Sequence, residues 1–317
     1  MKLTSITYNT TSRNIFNTNS KCEPSFRAYI YDPQGTKKKK FADLNPIKQQ
    51  LDKVIETSMK AARRRVRPVD VELAPFTTTV DIKVRPNSQH TYGWDINPDD
   101  RQKYVLFLYG TGQNISNLQS LYKAVINNTN YAVFTPEYRG FGRTIEQPIS
   151  SRSFFEDAIA AMRYLREKGV RPSDVTIVGH SLGCQVATQV ACRKSNQALD
   201  RLVLMSPIDN FSESMKIEDS LKNSVPKPVL LIYKTARFLN RDFDDFYGVG
   251  RIIGKVNAPV DIIHAKNDRL VSYHSADEVS KKVKNLSSIH ILDKGEHRID
   301  QSKIDVLVDV LKHAGKK

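Results

Sequence analysis

The sequence predicts an α/β fold with a mostly parallel sheet and helices on both faces. Three observations carry this expectation. Short apolar or β-branched runs recur along the chain, as at Tyr104–Tyr109, Tyr131–Phe134 and Val175–Val178. Stretches with apolar residues at helical spacing separate them. A chain of 317 residues is long enough for one large domain that buries about three quarters of its extended surface. Strands covered on both faces read as continuous apolar runs. Alternating strands and helices imply right-handed crossovers into a parallel sheet.

The N-terminal part stands apart by charge. Lys plus Arg is 49 and Asp plus Glu is 34, a net charge of +15. Residues 1–70 hold 15 of the basic and 6 of the acidic residues, so +9 of that charge sits there. Residues 1–40 read as a poorly ordered basic leader rich in Asn, Ser and Thr. Met1–Ser20 is polar and lacks the apolar core of a secretory signal. Lys37–Lys40 and Arg63–Arg65 with Arg67 are the main basic clusters. Between them Phe41, Leu44, Ile47, Leu51, Val54, Ile55, Met59 and Ala62 recur mostly every three or four residues, which predicts a basic amphipathic helix over 41–67. Such a helix either packs on the body with its basic face in water or lies on an anionic membrane. Residues 37–67 are therefore the candidate membrane contact. Nucleic acid is not the expected partner, because no recognised binding fold or aromatic platform accompanies the charge.

Composition excludes other classes. No stretch approaches the roughly 18 consecutive apolar residues of a membrane span. Cys22, Cys184 and Cys192 are an odd set and read as free thiols in a reducing compartment. The expected location is cytoplasmic, peripheral to a membrane at most, with delivery as a secreted effector left open.

The folded domain is expected over 68–317, with elements in the following order. Residues 69–84 and 91–96 are β-rich and pair beside one another. Tyr104–Tyr109 is a buried strand. Ser116 with Gln119 reads as a capping box opening a helix to Ile126, and Ser153 with Glu156 as a second one. Gly169 closes that second helix. Strands follow at 131–134, 175–178, 202–205, 260–264 and 289–292. Helices follow at 182–193, around Ala276, Val279 and Val283, and around Ile304, Leu307, Val308 and Leu311. An insert over 212–258, with Leu230–Tyr233, Phe238, Phe243, Phe246 and Tyr247, is assigned as a short cap. Its apolar and aromatic content suits an acyl chain, and equally suits the cap's own core.

In open parallel sheets, sites lie at the carboxyl ends of the strands. There Gly179-His180-Ser181-Leu182-Gly183 follows one predicted strand and opens a helix. This G-x-S-x-G places a serine on a turn too sharp for side chains two residues either side. It also leaves the Leu182 N–H at the positive end of a helix, ready for an oxyanion. A serine hydroxyl needs a base, and the base needs an acid. Asp268 follows the strand ending at His264, and His297 follows the last strand, in the chain order Ser, Asp, His. Asp209 is the alternative acid, and Asp293 sits too close to His297 in sequence. His90, His180, His264, His274, His290 and His313 are placed less well for a base. Gly110 and Gly112 let N–H groups converge in the turn Tyr109–Asn114, and Thr111 N–H is the second candidate oxyanion donor. That turn is not a phosphate loop, since no G-K-[ST] follows. No second Cys/His pair gives metal-ligand spacing.

These stretches together resemble the α/β-hydrolase superfamily, and most of all its ABHD-type serine hydrolases, which include monoacylglycerol lipases, acyl-protein thioesterases and serine-aminopeptidase-like enzymes. Leu108–Asn114 resembles the oxyanion loop, Pro136–Gly142 the D-Y-R-G-x-G turn, Gly179–Gly183 the nucleophile elbow, and Ile262–Asp268 and Gly295–His297 the acid and base turns. The resemblance covers about residues 70–315. It implies cleavage of a carboxylic ester or thioester, lipid-like in its acyl part, through an acyl-enzyme and without a cofactor. A peptidase or amidase of the same fold is the nearest alternative, and a non-catalytic binding protein the next. Tyr109 stands where the family usually has His, Cys184 where it often has Gly, and Ala265 replaces a glycine before the acid.

Overall fold

The computed structural model describes residues 66–85, 89–147, 149, 151–210 and 248–314. The leader (1–40), nearly all of the 41–67 helix and residues 212–247 of the cap insert lie outside the described residues.

Eight strands form one sheet. They are β1 (Thr77–Arg85), β2 (Gln89–Ile96), β3 (Lys103–Leu108), β4 (Tyr131–Glu137), β5 (Val175–His180), β6 (Arg201–Met205), β7 (Val260–Ala265) and β8 (Leu286–Leu292). Their order across the sheet is β1-β2-β4-β3-β5-β6-β7-β8. β2 is antiparallel to both β1 and β4, and every other pair is parallel. Five α-helices accompany the described strands: α1 (Gln119–Asn128), α2 (Ser151–Glu167), α3 (Leu182–Ala191), α4 (His274–Ser280) and α5 (Gln301–His313).

The apolar runs become the sheet's centre. β4, β5 and β7 are buried at every position, and β3 at all but Lys103. β8 lies at an edge, and Leu286 and Ile289 on it are exposed. Helix α3 is buried along its whole length, because it packs directly against β5 and α2.

Three local features differ from the sequence reading. The N-cap position of α1 itself is Leu118, with no side-chain cap bond; the side-chain cap, on the 3₁₀ turn before it, is Asn114 and not Ser116. Its side chain accepts the Ser116 N–H, Asn117 completes the capping box, and a 3₁₀ turn (Ile115–Leu118) precedes the helix. Asn is as good a cap as Ser, and it comes first along the chain. Ser153 lies inside α2, whose first described residue is Ser151, and Glu156 Oε2 accepts from buried Arg139. Residues 248–258, at the end of the assigned cap insert, pack into the body, with Val249, Ile253 and Val256 fully buried. Gly169 does end α2, with a left-handed φ of +92°.

The turn after β4 is built around a buried ion cluster. Arg139 bonds Asp157 through both its backbone N–H and its guanidinium, and Glu156 through a second guanidinium nitrogen at 2.8 Å. This fixes the start of α2 to the turn that faces the oxyanion-loop candidate.

Candidate active site

The elbow serine sits where strand β5 becomes helix α3. Ser181 has φ +54° and ψ −120°, a conformation costly for a residue with a side chain. Two glycines make it sterically feasible. A Cβ on Gly179 would lie 2.6 Å from Gly183 O, and one on Gly183 would lie 2.0 Å from Leu108 O. The serine is thus lifted between β5 and its neighbour β3, at the carboxyl end of the sheet.

Asp268 follows β7 in a tight turn closed by its own N–H to Ala265 O. Oδ1 accepts the Leu270 N–H at 2.9 Å and the Val271 N–H at 2.8 Å. Oδ2 lies 2.8 Å from His297 Nδ1 and 3.2 Å from His264 Nε2. Burial alone would raise this carboxyl, but the bonds from His264, His297 and Val271 outweigh it and hold the group far below the usual carboxylate range.

His297 lies between β8 and α5. Its Nε2 is 2.9 Å from Ser181 Oγ, while its Nδ1 faces Asp268. An ionised carboxylate can only accept, so the hydrogen-bond network places the ring proton on Nδ1 and leaves Nε2 free to take one. Ser181, His297 and Asp268, predicted from sequence order, are thereby brought into one continuous hydrogen-bonded line. The alternative acid is not in it: both oxygens of Asp209 lie 2.7 Å from Lys282 Nζ. Asp293 pairs with Lys266. His90 bonds Asp81, and His290 bonds Ser288.

The glycine turn after β3 lies against the elbow. A Cβ on Gly110 would stand 3.0 Å from Ser181 Cβ and 3.1 Å from His180 O. Gly110 N–H donates to Gln113 Oε1, which is also 2.8 Å from His180 Nδ1. Tyr109 is buried, and its hydroxyl accepts the Tyr138 N–H at 3.0 Å. The tyrosine that departs from the family pattern therefore ties this turn to the turn after β4. Cys184, the second departure, is fully buried, and its Sγ lies 3.2 Å from the carbonyls of Gly179 and Met205. Burial pushes that thiol well up, so it stays neutral.

Three residues were not singled out from the sequence. His264 is the second imidazole on Asp268. His180 bridges from Gln113 to the His297 carbonyl, its Nε2 2.8 Å from that oxygen. Burial and then nearby His297 hold His180 well below the ordinary histidine range. Lys303 is fully buried beneath the base turn. Its signal was legible: it precedes Leu307 by four residues and Val310 by seven, so it lies on the apolar face of α5. For His180 and His264 no spacing signal exists, since their contacts depend on turn geometry.

A cleft of about 850 Å³ opens beside the acid and base turns, with Lys266, Arg269, Lys294 and Arg298 around it and Glu296 and Asp300 among them. No group of three or more His, Cys, Asp or Glu among the described residues could hold a metal ion. Among the described residues no helix is long and apolar enough to cross a membrane.

Comparison with known proteins places the fold. The family model described as the alpha/beta hydrolase fold matches residues 103–229. A lysophosphatidylserine lipase ABHD12 of Danio rerio is 27% identical over 195 residues, 58% of this chain and 47% of that protein. The human alpha/beta hydrolase domain-containing protein 17B is 24% identical over 61% of this chain and 54% of its own length. The chain thus spans about half the length of these curated relatives. Among solved structures, an esterase of Pyrococcus furiosus superposes with a TM-score of 0.61, over 78% of this chain and 94% of that one, at 16% identity.

Proposed function

The chain carries the α/β-hydrolase fold, with ABHD-type proteins as its relatives, and from that premise we propose that it is a serine hydrolase cleaving a carboxylic ester or thioester through an acyl-enzyme. The observation that carries this reading is the line Ser181 Oγ, His297 and Asp268, with contacts of 2.9 and 2.8 Å. Ser181 attacks the carbonyl carbon as His297 Nε2 takes its proton. Asp268 stabilises the imidazolium that forms. The N–H groups of Thr111 and Leu182 hold the developing oxyanion. His297 then gives its proton to the leaving group, and water repeats the sequence on the acyl-enzyme.

A lipid-like acyl group is the favoured substrate part. The Danio rerio relative, a lysophosphatidylserine lipase, and the apolar insert residues support it. Tyr109, standing where the family usually has His, is the feature that would favour a non-catalytic binding protein; against it, the Tyr109 hydroxyl holds the turn through Tyr138 N–H. The 37–67 segment is proposed to dock the enzyme on anionic membrane, supported by its share of the +15 charge.

Ser181→Ala is the direct test. Turnover of p-nitrophenyl esters should fall by about 10⁴-fold or more, and fluorophosphonate labelling should vanish. Labelling that survives the change would sink the assignment. A panel of acyl lengths on ester, thioester and amide leaving groups, neutral and anionic, then reads the substrate class. For docking, salt-sensitive co-sedimentation with anionic vesicles should be lost on deleting residues 1–67; equal binding by both chains would refute it.

A further inference from the structure

Lys303 has no exposed surface, and its ammonium faces the loop that carries His297 and the end of β6 at Ser206. Nζ donates to the carbonyl of Glu296, to those of His297 and Arg298 at 3.1 Å each, and to Ser206 Oγ at 3.2 Å. Three consecutive carbonyls of one turn therefore converge on one cation. The His297 carbonyl has a second neighbour, His180 Nε2, at 2.8 Å. Its backbone is thus held from two sides, by α5 and by the strand end that also carries Ser181.

A lysine is a costly way to fill this position. Lysines are almost never fully buried, and an apolar side chain would serve the packing of α5 against the sheet. Burial pulls the amine's pKa down, against the opposing pull of Asp268 and Asp300. What the ammonium supplies that an apolar residue does not is a fixed set of donors for a turn whose carbonyls point inward.

Resting on the serine-hydrolase reading above, we propose that Lys303 is a positioning residue for the base: by gathering the carbonyls of residues 296–298 it sets the His297 imidazole between Ser181 Oγ and Asp268. It does not touch the substrate. The imidazole has contacts near 2.8 Å at both ends, so a displacement of about 1 Å breaks one of them, and misplacement on that scale costs on the order of 10²-fold in rate.

The test is a double-mutant cycle on the full chain, read with p-nitrophenyl acetate and with Ser181→Ala as the blank. Lys303→Met keeps the chain length and removes the donors. It should lower kcat about 100-fold with KM changed less than about threefold. Added to His297→Ala, it should change the residual turnover by less than about threefold, because Lys303 acts through His297. The same fold loss in both backgrounds, or a rise in KM with kcat intact, overturns the proposal. Melting curves establish the folded fraction. Should Lys303→Met not fold, Lys303→Gln, which retains an amide donor, carries the same cycle and is judged by the same coupling to His297. If His297→Ala turns over as fast as the parent, the serine-hydrolase reading itself has failed, which separates the two failures.

Discussion

His264 and His297 meet on a single oxygen: Oδ2 of Asp268 lies 3.2 Å from His264 Nε2 and 2.8 Å from His297 Nδ1. His264 Nε2 is also 3.2 Å from the Val271 carbonyl, so this nitrogen faces two acceptors and must carry the proton. Its Nδ1 is buried with no hydrogen-bond partner among the described residues. The Asp268 carboxylate that faces His297 is thus itself held by a second imidazole.

His264→Leu should lower kcat about tenfold, since a hydrogen bond to a charged group is worth about 1.5–3 kcal/mol and part of it orients Asp268. KM should be unchanged. Stability should fall by about 1–3 kcal/mol, because the buried Asp268 carboxylate loses one of its donors. Steady-state kinetics beside a thermal melt checks this; an unchanged kcat would show that His264 is packing alone.

Tyr109→Phe isolates one hydroxyl. The ring contacts with Tyr138, centroids 4.5 Å apart, remain. The buried Tyr138 N–H loses its acceptor. Leaving a buried donor unsatisfied costs about 1–3 kcal/mol, and urea denaturation should report a loss of that size. A stability equal to the parent's would mean that the oxyanion-loop turn is held by packing and not by this bond.

Gly183→Ala places a Cβ 2.0 Å from Leu108 O, which is backbone of the central strand β3 and has no room to retreat. The expected loss is about 3 kcal/mol or more, at the upper end of overpacking effects, with Ser181 displaced from His297. Soluble, active protein after this change would contradict the elbow geometry.

The parts of this molecule that sequence exposes are those imposed by sterics and solvent. β3, β4 and β5 could be read because a strand covered on both faces is mostly apolar, with buried Thr135, Glu137, Thr176 and His180 as the exceptions. Gly179 and Gly183 could be read because no other residue fits beside Ser181. Asp268 and His297 were placed by chain order, which needs only the strand succession. The cap lies two residues before Ser116, on the 3₁₀ turn that leads into α1, because Asn114 and Ser116 are equally good capping residues and only the loop path decides between them. Lys303 shares the apolar face of α5 in its spacing, but only the fold shows that the carbonyls of residues 296–298 converge on it. The contacts of His180 and His264 arise across turns, where spacing along the chain says nothing about direction in space.

Asp268 makes the stability of the fold depend on pH in a predictable sense. Four donors converge on its two oxygens: the N–H groups of Leu270 and Val271, and the rings of His264 and His297. Burial pushes the carboxyl up, but these bonds pull it below the value it has in the unfolded chain. A group with a depressed folded-state pKa binds its proton more readily when unfolded. Its contribution is therefore complete above about pH 4, the unfolded value, and is lost as the pH falls below it. Asp268→Asn removes the titration. Urea midpoints measured from pH 7 down to pH 3 should fall more steeply for the parent than for the variant, and the difference should appear only below about pH 5. Parallel curves would mean that the carboxylate is not held in this way. In the same variant kcat at pH 7 should drop by about 10⁴-fold, because an amide can fix the wrong tautomer of His297 and cannot stabilise its charged form.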